Sequence, residues 1–457
     1  SEKVRKADAD VKICLCQVGS ASFDGEFTES VARAFAGHTR PMVRINSSVY
    51  GSDDSAQPLP GLFFTMIRYS QHLPEDIELI HEADTYPHTR FYMSALQLKS
   101  LMTIAFASGF NTSLFYTTQY LDNPLEENGY NLMFLKENKR FEILKVTIKN
   151  CTINGCEISF DPEEHFVVPY NCQSKNRPYA RRNPWIDVIG SFGIPQTAKD
   201  GKVKMIAGNA TEIKSDEEIK NILSGSVFLD GQAAFNLSKR GFGNLIGAEV
   251  LKGARANFCY EGVRKDVNFV DVKGDLMYNL IFAPSGSEGG DFYQLLPSVR
   301  AEVLTDFLDP EEKPAMPGMV RFENDLGGRV AITAFDLARN RSSAIFNYKK
   351  KEIIRQTIEW LGKEQLPVFV KYLPNVYCLF NRSRDKDFGV VVLVNLCSDP
   401  VDSFFLEMAE EWIGSDVFRL DQEGRWKSVS SFYENRLVHL KVPLYRMDPL
   451  ILKLIKR

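Results

Sequence analysis

Apolar residues arrive in short bursts through the first third of the chain: "VKICLCQV" (11–18), "PMVRINS" (41–47), "IELIHEA" (77–83) and "TSLFYTT" (112–118). β-rich runs of this length suit strands buried on both faces of a parallel sheet. The spacing changes to a helical period between them. "EFTESVARAFAG" ends at Gly37, a natural helix stop, and "LPGLFFTMIRYSQHL" follows the second burst. "SALQLKSLMTIAFASGF" follows the third, with Leu96, Leu101, Ile104 and Ala105 predicted on one face and a stop at Gly109. Four βα units in sequence imply right-handed crossovers and a parallel sheet. A closed (β/α)8 barrel needs eight units, so these four fit a small open sheet or half of a barrel. Nothing blunts the first run as an edge strand, so it reads as an interior strand with an upstream neighbour missing.

Residues 151–182 look irregular and polar ("DPEEH", "CQSKNRPYARRNP") and read as a linker and domain entry. A second α/β pattern follows. "NPWIDVIGSFGIP" is predicted helical, "VKMIAGN" a strand, and "SDEEIKNIL" a helix with a Ser N-cap and early acids. "GSVFLDG" is a strand, "QAAFNLSKRGFGNLIG" a helix and loop, "RVAITAFDL" a strand, and "KKEIIRQTIEWLGKE" an amphipathic helix. From Leu366 the runs become short and alternating, with turn signals every ~10 residues: a β-sandwich pattern. The expected division is 1–150, 151–365 and 366–457.

Totals then narrow the classes. At 457 residues the chain is too long for one core. Its net charge of −4 gives no footprint for nucleic acid. No apolar run reaches the ~18 residues of a membrane span. "SEKVRKADADVKICLCQ" fits a strand better than a signal peptide, and the absent initiator Met implies a processed or truncated chain. Location stays open between the cytoplasm and periplasm of a bacterium. The eight cysteines form no C-x-x-C pair, which argues against structural zinc. Cys151 and Cys156 are near enough for a local disulfide, but reduced, buried thiols are the default. The sequons at Asn111 and Asn209 matter only in a eukaryotic secreted protein.

Reactive groups crowd the end of the third burst. In a barrel, catalytic residues sit at the C-terminal strand ends, and Glu82 stands there. Asp84 lies two residues on, at roughly 7 Å on one strand. That is too loose for the ~5–5.5 Å carboxyl pair of a retaining glycosidase. "HEADT" lacks the second His of a zinc-protease helix. His88 is read as a substrate donor or a structural histidine, and Arg90 as a substrate contact. Arg44 and Asn46 end the preceding strand and face the same mouth. Tyr116 ends the following strand, as a sugar-stacking ring or as core. "APSGSEGGDF" lacks phosphate-loop spacing. "FLDGQAAF" has an elbow shape, but Asp230 stands where a Ser or Cys nucleophile would be needed.

"HEADTYPHTRFYMSA", "ASFDGEFTESVARAFAG", "NPWIDVIGSFGIP" and "LSGSVFLDGQAAFNLSKRGFGNLIGAEV" together resemble bacterial glycoside hydrolases related to the family 42 β-galactosidases. The resemblance covers most of the chain to about residue 250 and is architectural beyond. It implies an α/β fold: part of a (β/α)8 barrel, then a flavodoxin-like domain similar to class I glutamine amidotransferases, then a C-terminal β-sandwich. It implies retaining hydrolysis of a glycosidic bond, β-galactosidase-like, with a carbohydrate substrate, no cofactor and a trimer or dimer built through the middle domain. Glu82 matches the strand-seven nucleophile, which makes the four units strands five to eight. The acid/base carboxyl of strand four has no counterpart, so the chain reads as the C-terminal half of a longer enzyme or as one that lost this group. The competing reading is a non-catalytic carbohydrate-binding or assembly protein.

Overall fold

The computed structural model describes the chain except residues 1–3, 5, 7–9, 18–27, 48–55, 57–58, 84–91, 116–127, 161–182, 253–257, 259, 279–291 and 338–344. Its first sheet is built from β1 (Cys14–Gln17), β2 (Met42–Asn46), β3 (Glu78–Ala83) and β4 (Thr112–Phe115). All three pairings are parallel and the spatial order is the chain order. The crossovers are α1 (Thr28–Ala36), α2 (Leu59–His72) and α3 (Ala95–Ala107). Gly37 and Gly109 both have positive φ, where glycine alone avoids a Cβ clash. Ser94 caps α3 by accepting from the Gln97 amide at 3.1 Å.

The two faces of this sheet differ. Register puts Leu15, Val43, Ile45, Leu79, His81, Ala83 and Ser113 on the face packed by the helices. Cys14, Cys16, Arg44, Asn46, Glu82 and Leu114 share the other face. Cys14 and Cys16 are exposed there, and Leu114 is 49% exposed. Among the described residues β1 pairs with β2 alone, so its other side has no neighbour strand there.

Two helical readings need correction. Leu96 was expected on the buried face of α3, yet it is exposed while Leu101, Ile104 and Ala105 are buried. Nearly every side chain from Gln97 to Ala107 is buried, because α3 is enclosed on all sides. A further helix, α4 (Gly129–Ile148), has no counterpart among the elements expected from the pattern. This helix packs on α3 and turns charged residues inward. Lys99 pairs with Glu137 at 2.7 Å and Asp448 at 2.8 Å, and Arg140 joins Glu137 at 3.1 Å and the Pro449 carbonyl. This buried cluster, with Asn381 donating to the Ala107 carbonyl at 3.0 Å, fastens the first sheet's helices to the C-terminal strands.

Residues 151–158 are two short strands, not the linker expected from their polarity: β5 (Cys151–Asn154) and β6 (Cys156–Ile158). They enter different sheets, and both thiols are free. The middle sheet runs β7 (Gln196–Thr197), β6, β8 (Val203–Ile206), β9 (Ser226–Leu229) and β16 (Arg329–Thr333) in parallel. It is not parallel throughout. β15 (Pro314–Glu323), β14 (Glu302–Leu308), β11 (Tyr260–Val263) and β12 (Leu276–Tyr278) extend it antiparallel. β10 (Ala248–Lys252) and β13 (Tyr293–Pro297) pair separately. Helices α5 (Trp185–Ser191), α6 (Asp216–Leu223), α7 (Gly231–Leu237), α8 (Gly243–Ile246) and α9 (Tyr348–Gly362) fall where the spacing placed helices. Ser215 and Glu218 form a reciprocal cap on α6.

The last part is two antiparallel sheets around one shared apolar core. Four strands are β17 (Val368–Lys371), β20 (Phe404–Met408), β24 (Leu437–Leu440) and β23 (Ser431–Glu434). Six are β22 (Trp426–Ser428), β21 (Asp416–Leu420), β25 (Leu450–Ile455), β19 (Phe388–Asn395), β18 (Val376–Ser383) and β5. No helix among the described residues is long and apolar enough to cross a membrane.

Candidate functional site

Alternation along three neighbouring strands assembles the site. Side chains at i and i+2 share a face of a strand. Glu82 therefore lies beside Asn46 and Leu114 in register, one pleat above the row of Cys16, Arg44 and Ile80. It is near the C-terminal end of β3 and only 7% exposed. Arg44 Nη2 lies 3.2 Å from Glu82 Oε1. The same nitrogen donates to Cys16 Sγ at 2.9 Å, and that thiol lies 3.9 Å from Glu82 Oε2. A guanidinium this close to a buried carboxylate favours its ionised form. Burial pushes the neighbouring Cys14 thiol up, an effect that Arg44 opposes.

The predicted residues divide into two groups. Glu82, Arg44 and Asn46 come together on one face, as the strand reading required. Asp84, His88, Arg90 and Tyr116 lie outside the described residues. His81 turns to the helix side. Its Nδ1 is 3.1 Å from Ser113 Oγ, and full burial lowers its pKa to about 3, so it stays neutral. Cys16 was missed because a Cys inside an apolar strand reads as core. The signal available was its period-two alignment with Cys14 on a face whose neighbours include Arg44.

The elbow of the middle sheet is built differently. Asp230 Oδ1 accepts from the Ala233 amide at 2.8 Å, capping α7, and from the Gly208 amide at 3.0 Å. Its Oδ2 is buried too. Burial raises this carboxyl to about 7, and Asp336 nearby adds to the rise. No group of three or more His, Cys, Asp or Glu is placed to hold a metal among the described residues.

No protein-family profile matches the chain, and no curated protein matches its sequence. Among solved structures, an α-L-fucosidase isoenzyme 2 from Paenibacillus thiaminolyticus aligns with a TM-score of 0.58 at 13% identity, covering 94% of this chain and 70% of the fucosidase chain. A rhamnosidase from Novosphingobium sp. PP1Y aligns at TM-score 0.42 and 10% identity, covering 91% of this chain and 35% of that one. An apo exo-carrageenase GH42 from Bacteroides ovatus aligns at TM-score 0.45 and 10% identity, covering 100% and 54%. Scores below 0.5 add no weight, so the fucosidase likeness carries the comparison, and at that identity it speaks to fold alone. The chain has a mixed α/β, glycoside-hydrolase-like fold.

Proposed function

We propose that this chain carries the nucleophile half of a retaining glycoside hydrolase site, β-galactosidase-like, with Glu82 as the nucleophile. The observation that carries the reading is the placement of Glu82: an almost fully buried carboxylate at a parallel strand's C-terminal end, ion-paired at 3.2 Å to Arg44. In such a reaction the carboxylate attacks the anomeric carbon as the leaving oxygen is protonated by a second carboxyl. Water then releases the glycosyl-enzyme. Arg44 keeps Glu82 charged for the attack, and Asn46 borders the same face as a substrate contact.

The barrel reading draws support from three exposed apolar surfaces. Leu114 is exposed on the sheet face away from the helices. The helix beside β1 exposes Val31 and Phe35, and α4, beyond β4, exposes Leu132, Leu135 and Val146. These are the surfaces that four more βα units would cover in a closed eight-stranded barrel. A non-catalytic carbohydrate-binding or assembly role is the second reading, favoured by the four strands present.

The test uses a polypeptide with all eight strands. A mechanism-based fluoroglycoside should leave its covalent label on the peptide containing Glu82, and Glu82→Gln should abolish both labelling and turnover. An active enzyme labelled elsewhere overturns the assignment, and Asp84 is then the next residue to replace.

A further inference from the structure

The β-sandwich carries a second surface that the first sheet does not explain. Register across its four-stranded sheet aligns Lys371 with Phe405, Phe405 with His439, and His439 with Phe432. Alternation turns this row outward, since the intervening Phe404, Leu406, Val438 and Leu440 fill the core. The Phe405 and His439 rings stack at 4.5 Å and 14°. Tyr372, just after Lys371, meets Phe405 edge-on at 5.8 Å and 82°. The ends of the row are its open parts: Phe432 is 66% exposed and Tyr372 56%.

Two further observations bear on what this row is for. Tyr372 holds φ at 61°, a left-handed conformation costly for an aromatic residue, so the fold maintains an outward-turned ring against strain. Next to the row the same face is already closed. Lys371 is buried against Glu352 at 2.9 Å and Glu407 at 3.3 Å, beneath α9. The aromatic row is therefore a bounded strip and not one corner of a wider apolar surface.

Size and charge select the occupant. Two half-exposed rings and the edges between them offer roughly 200–300 Å². A stable protein interface needs about 800 Å² from each partner, so a second protein is poorly served. Charges of both signs border the row: Lys441 beyond His439 and Glu434 beyond Phe432 by alternation, and the exposed Asp271, 3.7 Å from Lys371. A charged ligand gains nothing there. A pyranose ring fits both limits, with C–H groups on its faces to lie on aromatic rings and hydroxyls on its rim for His439, Lys441 and Glu434. The row crosses three strand spacings, about 14 Å, enough for more than one sugar ring. We propose that Tyr372, Phe405, His439 and Phe432 form a platform that binds a neutral polysaccharide, separate from the Glu82 face.

The experiment is affinity electrophoresis of the intact chain in gels cast with galactan, xylan, glucomannan or a sulfated galactan. At least one neutral polysaccharide should retard the protein. Phe432→Ala and Tyr372→Asn should each lower the apparent affinity at least tenfold without lowering the thermal unfolding temperature, because both rings are exposed and Asn tolerates the left-handed backbone at 372. Tyr445→Ala, which removes an exposed ring outside the row, should retain it. The proposal is overturned if no neutral polysaccharide retards the chain, if the sulfated one alone does, or if both ring variants behave as wild type. If Glu82→Gln removes the retardation and Phe432→Ala does not, the sugar sits on the first sheet. The platform then fails while the reading of Glu82 stands.

Discussion

Glu82 and Asp230 occupy equivalent places in two different sheets. Each stands at the C-terminal end of a parallel strand, Asp230 directly ahead of α7, and each is nearly or wholly buried. Their surroundings set them apart. Glu82 faces a guanidinium, while Asp230 has backbone amides on one oxygen and a second acid nearby. A strand end supplies position. Burial does most to push Asp230 toward the neutral acid, with Asp336 adding to it, whereas the guanidinium beside Glu82 favours the anion.

The sharpest way to break this contrast is paired substitution in an active, eight-stranded polypeptide. Glu82→Gln should lower turnover on the order of 10³-fold or more, equivalent to at least about 4 kcal/mol of barrier. Asp230→Asn should leave turnover within about twofold. Equal losses from the two would erase the distinction.

Arg44→Met comes next. It removes the guanidinium beside the buried Glu82 carboxylate; breaking an ion pair in the interior costs about 3–5 kcal/mol, and less for this partly exposed arginine. Arg44→Lys, which keeps a positive charge, should recover part of the loss in melting temperature. A loss as large with Lys as with Met would mean that packing, and not charge, is what Arg44 provides.

Asp230→Asn should have a smaller and oppositely shaped effect. The Asp230 carboxyl titrates near 7 in the folded chain, against 3.8 for the unperturbed group. Between those values the folded protein retains a proton that the unfolded chain has released, so stability declines as pH rises from about 4 to about 7. Asn caps a helix as well as Asp and carries no charge to bury. Denaturant melts should show a gain at pH 8, a few kcal/mol at most, that vanishes near pH 4. A gain independent of pH would rule out the titration as its cause.

The smallest effect is expected behind the first sheet. Ser113→Ala removes the hydroxyl beside the buried His81 imidazole and should cost about 1 kcal/mol in urea unfolding. No change in stability would make that contact incidental.

What could be read in advance followed how local the cause was. The strand ending at Glu82, the helices with clear caps and the alternating C-terminal runs depend on neighbouring residues, and they appear where the pattern placed them. The helix Gly129–Ile148 was illegible because it blurs the usual pattern. Glu137 and Arg140 interrupt the buried stripe of Tyr130, Met133, Phe141, Leu144 and Ile148, while Leu132, Leu135 and Val146 are exposed, so apolar and charged residues stand on both faces. The antiparallel part of the middle sheet hid for another reason. Pro317 and Gly318 interrupt Pro314–Glu323, and its register with Glu302–Leu308 slips more than once. At the site, Glu82, Arg44 and Asn46 followed from strand ends. The contact of Cys16 with Arg44 spans two strands and depends on side-chain reach that a linear pattern does not encode.

Gly155 separates two strands that enter different sheets. A side chain there would collide with the Pro195 carbonyl at 2.3 Å, so the chain turns from β5 to β6 in a single residue. β5 pairs with Val376–Ser383, on the far side of the middle region. During synthesis, at about 5–20 residues per second, β5 therefore waits roughly 10 to 50 s for its partner to be translated. Throughout that interval its backbone groups are unclaimed while the half-sheet before it is ready to fold. The last sheet is thus begun early and finished late. A nascent chain stalled between the two events would expose the β5 edge to chaperones or to another copy of itself.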